Sequence, residues 1–80
     1  MHELSLTHDI VAIACDAAAG RRVHRVTLEI GRHACVMPDA IRFCFDVVAK
    51  GTLADGAQLC IHVTDGDALI VTTLELEEAA

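Results

Sequence analysis

Arg25-Val26-Thr27-Leu28-Glu29-Ile30-Gly31 alternates apolar and polar residues without a break. Val26, Leu28 and Ile30 therefore share one face, and Arg25, Thr27 and Glu29 the other. Period-two alternation marks a strand with one buried face, and Gly31 supplies its end. Such a face needs a cover, and the sequence offers one on each side. Upstream, Leu6, Ile10, Ile13, Ala14 and Ala17 recur at helical spacing, flanked by Val11 and Ala18. Ser5 or Thr7 is placed to cap this helix, which is expected to run to about Ala19 and stop at Gly20. Downstream, Pro38 at a first helical position and Asp39 beside it open a second helix. Its inner face is Ile41, Cys44, Phe45 and Val48, with Arg42, Asp46 and Lys50 outside and Gly51 closing it.

Farther on, residues 52–56 form a turn, and Leu59, Ile61 and Val63 alternate as a second strand. Asp65-Gly66 is a hairpin signal, since both residues tolerate positive φ. In the third strand Leu69 and Val71 fall in one phase and Leu74 and Leu76 in the other, so a bulge at Thr72-Thr73 is expected to restore the face. The order helix, strand, helix, strand, strand predicts one α+β domain over residues 1–80. Two helices pack on one face of a three-stranded mixed or antiparallel sheet, with a right-handed strand-helix-strand crossover. The third strand is expected between the other two, antiparallel to both.

The chain has 80 residues, 54% of them apolar, and a net charge of −6. It is too hydrophobic to be disordered and too acidic for a nucleic-acid backbone, and Phe43 and Phe45 alone make no stacking platform. The longest apolar run, residues 10–15, is far too short for a membrane span, so neither membrane nor nucleic acid is expected as a partner. A soluble, cytoplasmic protein is expected, with Cys15, Cys35, Cys44 and Cys60 as reduced thiols serving mainly as small core residues. None forms a Cys-x-x-Cys pair. A domain this small gains from a contact with a partner or a second copy, so a homo-oligomer is among the expectations.

The densest chemistry lies at the start. In Met1-His2-Glu3 the α-amine and the His2 amide nitrogen form a five-membered chelate with a metal, and His2 Nδ1 closes a six-membered ring. Tetragonal nitrogen coordination suits nickel(II) or copper(II) better than zinc. His2 is too large a second residue for methionine removal, so the amine belongs to Met1. A frayed terminus is the competing reading of the same residues.

Four ordered blocks carry a resemblance: Met1-His2-Glu3-Leu4-Ser5-Leu6, residues 25–31, residues 38–46, and Gly51-Thr52-Leu53-Ala54-Asp55-Gly56-Ala57. Together they resemble the HypA/HybF family of nickel metallochaperones across nearly the whole chain. The resemblance implies the nickel-binding domain of that family, with the Glu3 amide as a fourth nitrogen beside Met1 and His2. It implies nickel delivery for nickel-iron hydrogenase, and in some organisms urease, together with the GTPase HypB. The hydrogenase large subunit or urease accessory proteins are implied as further partners. Family members carry a zinc ribbon between the last two strands, whereas here residues 64–68 form a direct junction, so nickel but no zinc is expected. A lineage that lost the ribbon and a chain from which it was excised read alike at this junction.

Other residues point less sharply. His8 reads as a solvated helix residue, and His24 and His33 as surface residues. His62 shares a strand face with Cys60, either as a soft two-ligand pair or as incidental outward neighbours. Glu3 has a partner contact as its alternative role. There is no carboxylate pair, glycine-rich phosphate loop or activated nucleophile, so no enzyme is expected. A non-metal module that binds HypB or self-associates remains the alternative to a nickel carrier.

Overall fold

The computed structural model describes residues 2–78. In chain order the elements are α1 (His2–Ala18), β1 (Val23–Gly31), α2 (Pro38–Val48), β2 (Gln58–Thr64) and β3 (Leu69–Leu76). Both helices cover one face of a mixed three-stranded sheet, the expected α+β architecture. The core lies between the layers. It joins Ile10, Val11, Ala14 and Ala18 of α1, Val23, Val26, Leu28 and Ile30 of β1, and Ile41 and Phe45 of α2.

The strand order departs from expectation. It is β2-β1-β3, with β2 parallel and β3 antiparallel to β1. The third strand is therefore an edge, and β1 holds the centre. Burial explains this: Val26, Leu28 and Ile30 are buried, whereas Thr72, Thr73 and Glu75 of β3 are exposed and suit an edge position. Consequently Asp65-Gly66 does not close a hairpin between neighbours. Residues 65–68 cross from one side of β1 to the other over its end.

Gly31 makes that crossing possible. A Cβ built there would lie 2.2 Å from the Gly66 carbonyl oxygen and 2.6 Å from the Asp67 nitrogen, closer than atoms approach without displacement. Three backbone hydrogen bonds clasp the crossing segment: Gly31 N–H to the Ala68 carbonyl, Arg32 N–H to Thr64, and His33 N–H to Gly66.

The expected bulge is present. Thr27 pairs with Thr73 and Leu28 with Val71, so Thr72 is the extra residue, and Leu69, Val71, Leu74 and Leu76 all pack against the core. Helix α2 also follows its pattern, with Pro38 just inside its start, Ile41 and Phe45 buried, and Cys44 and Val48 half-buried.

Helix α1 differs in start and phase. It begins at His2, so neither Ser5 nor Thr7 caps it, and its buried stripe is Thr7, Ile10, Val11, Ala14 and Ala18. Ile13 is 52% exposed and Ala17 is exposed, because α1 packs against α2 as well as the sheet and its inner face is turned toward Val11. Thr7 is admitted to the core because its hydroxyl donates to the Glu3 carbonyl at 2.6 Å. That carbonyl also accepts the helical bond from the Thr7 amide, so Thr7→Val leaves it satisfied. The expected cost, read from urea midpoints, is about 1 kcal/mol or less.

The cysteine expectation is only partly met. All four thiols are free; Cys35 is exposed, and Cys15, Cys44 and Cys60 are half-buried. Cys35 is drawn out of the core by its position in the β1–α2 loop, where its backbone takes a left-handed φ of 58°.

Candidate metal centre

A helix leaves its first backbone N–H groups without intrahelical acceptors. Because α1 begins at His2, the amides of His2 and Glu3 lie in that first turn. Consecutive amide nitrogens reach a common metal only when ψ between them is small, and helical backbone, with ψ of about −42°, meets this far better than extended backbone does. The His2 side chain is exposed and Glu3 is half-buried. Met1, whose α-amine belongs to the expected ligand set, lies outside the described residues.

The Glu3 carboxylate is turned toward the loop that follows β1: its Oε2 accepts from the Met37 N–H at 3.4 Å. Its pKa lies below the ordinary carboxylate value, chiefly through a hydrogen bond from its own backbone and further through the Met37 amide. Since the folded value is depressed, the attachment is fully made above the unfolded carboxyl pKa and is lost as pH falls through the lowered one. This link joins the first turn of α1 to the residue preceding α2. Nothing in the local pattern of residues 1–6 or 32–37 announced it, because it spans |i−j| = 34.

The remaining sites named from sequence do not gather around this end. His8 is exposed on α1, His24 lies at the start of β1, and Asp39 lies in the first turn of α2. On the uncovered sheet face, β-register sets His62 beside Glu29 and Cys60 beside Thr27. Among the described residues, no group of three or more His, Cys, Asp or Glu side chains is arranged to hold a metal ion. Among the described residues no helix is long and apolar enough to cross a membrane.

Residues 1–72 match the family model described as "Hydrogenase/urease nickel incorporation, metallochaperone, hypA". The hydrogenase maturation factor HypA of Crocosphaera subtropica is 53% identical over 66 residues, covering 82% of this chain and 58% of that protein. HypA of Geobacter metallireducens is 50% identical over 66 residues, with 82% and 60% covered. The chain thus spans just over half the length of the curated relatives it matches. In fold it is similar to the solution structure of the nickel metallochaperone HypA from Helicobacter pylori, with a TM-score of 0.73 at 16% identity over 98% of this chain and 95% of that one. With the family model spanning residues 1–72 and curated relatives half identical over 82% of its length, this chain is a member of the HypA family.

Proposed function

We propose that the chain is a nickel(II) carrier, a non-enzymatic accessory protein acting in the cytoplasm in the maturation of nickel-iron hydrogenase, and of urease where that enzyme occurs. The metal is held by four nitrogens: the Met1 amine, the His2 and Glu3 amides, and His2 Nδ1. The observation that carries this reading is the start of α1 at His2, which leaves both amides outside the helical ladder and the imidazole in solvent. Capture displaces the two amide protons, so the hydrogen bond between the Glu3 amide and its own carboxylate has to be released. The metal passes onward with the GTPase HypB, and the hydrogenase large subunit or urease accessory proteins receive it. Zinc has no part in this reading, because residues 64–68 leave no room for a ribbon and the sequence has no Cys-x-x-Cys pair.

Calorimetric titration of the untagged chain with nickel is the test, and one equivalent is the expected result. Heat indistinguishable from dilution would leave an interaction module that binds HypB or a second copy, to be separated by pull-down and by mass in solution. The same titration has an expected pH dependence. Both amides lose protons on binding and the amine titrates near about pH 7.7–8.0. Affinity should therefore rise by about a hundredfold per pH unit or more between pH 6 and 8. A flat profile would exclude amide coordination.

A further inference from the structure

The two edges of the sheet are built differently. The β3 edge carries the Thr72 bulge and Glu75, and Glu77 follows it, all of which discourage a further strand. In β2, residues 58–64 contain no Asp, Glu, Lys, Arg or Pro, and their register with β1 runs without a shift. The Thr64 carbonyl accepts from the Arg32 N–H at 2.9 Å on the β1 side, whereas the Leu59 carbonyl accepts from Arg42 Nη1 at 3.1 Å on the outer side. Backbone groups alternate sides along a strand, so Leu59, Ile61 and Val63 aim their N–H and C=O groups outward. Among the described residues, only the Leu59 carbonyl finds a partner there. The register of these three residues with Val26, Leu28 and Ile30 sets their side chains on the helix-covered face, yet Val63 is 58% exposed.

We propose that the outer edge of β2 pairs antiparallel with β2 of a second copy of this chain, about a two-fold axis through Ile61. In that register Ile61 faces Ile61, Leu59 faces Val63, Cys60 faces His62 and Gln58 faces Thr64. The outward-aimed residues become the hydrogen-bonded pairs of the new ladder, each pair exchanging both N–H···O=C bonds, and the Leu59 carbonyl has a second lone pair to give. Their side chains close into one apolar seam that covers Val63. Charge selects this partner. Antiparallel order sets the start of one β2 against the end of the other, and those ends are opposite in sign. At the start, a cleft of about 660 Å³ is lined by Arg25, Arg42, Asp46, Gln58 and Leu59, net positive. At the end lies Asp65-Gly66-Asp67, where the almost fully exposed Asp65 uses one oxygen on Arg32 at 3.0 Å. Arg42 spends one of its five N–H groups on Leu59, which leaves others for the Asp65 carboxylate of the second copy. Parallel order would set like ends together. The pair closes on itself into one continuous sheet whose remaining edges are the guarded β3 strands.

Sedimentation equilibrium of the intact chain tests this, with a chelator present so that the outcome is separate from nickel binding. The expected mass is twice the 8.5 kDa of one chain. A single-chain mass at submillimolar concentration overturns the proposal. Val63→Lys puts an ammonium into the seam twice per pair and should raise the Kd of the pair by about a hundredfold. Because Val63 is exposed in the single chain, circular dichroism should not change. Ile70→Lys, at a comparably exposed apolar position on β3, should leave the pair intact. A pair untouched by Val63→Lys, or split by Ile70→Lys, lies on another surface. Charge reversal gives a second, independent reading. Arg42→Asp and Asp65→Arg should each weaken pairing by about tenfold, and the two together should restore most of it. A double variant no stronger than the weaker single one overturns the assignment. The register is read from His62→Cys, whose thiol would face Cys60 of the second copy across a non-hydrogen-bonded pair, with Cα atoms about 4.5 Å apart and within disulfide reach. Mild oxidation should join positions 60 and 62 between chains in peptide mapping; linkage through the exposed Cys35 instead overturns that register.

Discussion

His2→Ala is expected to abolish stoichiometric nickel binding while leaving the fold intact. Alanine removes the imidazole and with it the six-membered ring. The change deletes a ligand outright, so the loss should exceed the roughly 10–100-fold that follows from disturbing only a ligand's support. His2 is exposed and outside the core, so circular dichroism and Tm should not move. His8→Ala is the matched control, an exposed imidazole on the same helix that belongs to no chelate ring. Nickel titrations in which His2→Ala and His8→Ala behave alike would show that the metal is held elsewhere.

Gly31→Val should be the most damaging single substitution in the sheet. Its Cβ would meet the Gly66 carbonyl carbon at 2.3 Å and oxygen at 2.2 Å, and neither atom belongs to a side chain able to swing away. Relief requires the crossing segment to lift, and that breaks the bonds from Gly31, Arg32 and His33 to Ala68, Thr64 and Gly66. Three such bonds at about 1 kcal/mol each, together with overpacking strain, give an expected loss of about 3 kcal/mol or more. A domain of this length has only about 4–12 kcal/mol in total, so the variant should be largely unfolded or strongly shifted in urea. The contrast is Gly51→Ala, where φ is +76° but no atom lies within 4 Å of the added carbon. That change costs about 1 kcal/mol, from backbone conformation alone. Similar urea midpoints for the two variants would mean that the crossing is not tightly held.

Much of the fold is legible in the sequence because it is written locally. The alternation of Val26, Leu28 and Ile30, the phase change across Thr72-Thr73 and the Pro38 helix start each depend on a few adjacent residues, and each is found in place. Strand order is not local. Asp65-Gly66 carries the signature of a tight turn whether it joins neighbouring strands or passes over a third, and only the missing side chain at Gly31 separates the two outcomes. The exposure of Ile13 has the same origin, since a helix packed against two surfaces at once turns its stripe away from the one that periodicity alone would choose. At the candidate metal centre, the chemistry of His2-Glu3 is visible in the residue names. The attachment of Glu3 to Met37 is a long-range bond with no local mark.

The placement of β2 and β3 on opposite sides of β1 sets the mechanics of anything carried between them. Their facing ends are two strand spacings apart, about 10 Å, and the middle strand lies between the two exits. A module inserted in this connection is mounted on two separated feet rather than on a single stalk. Twisting such a module would pull on both outer strands in opposite senses and load the central one in torsion. In the present chain, four residues bolted across Gly31 stand where that lever would be mounted.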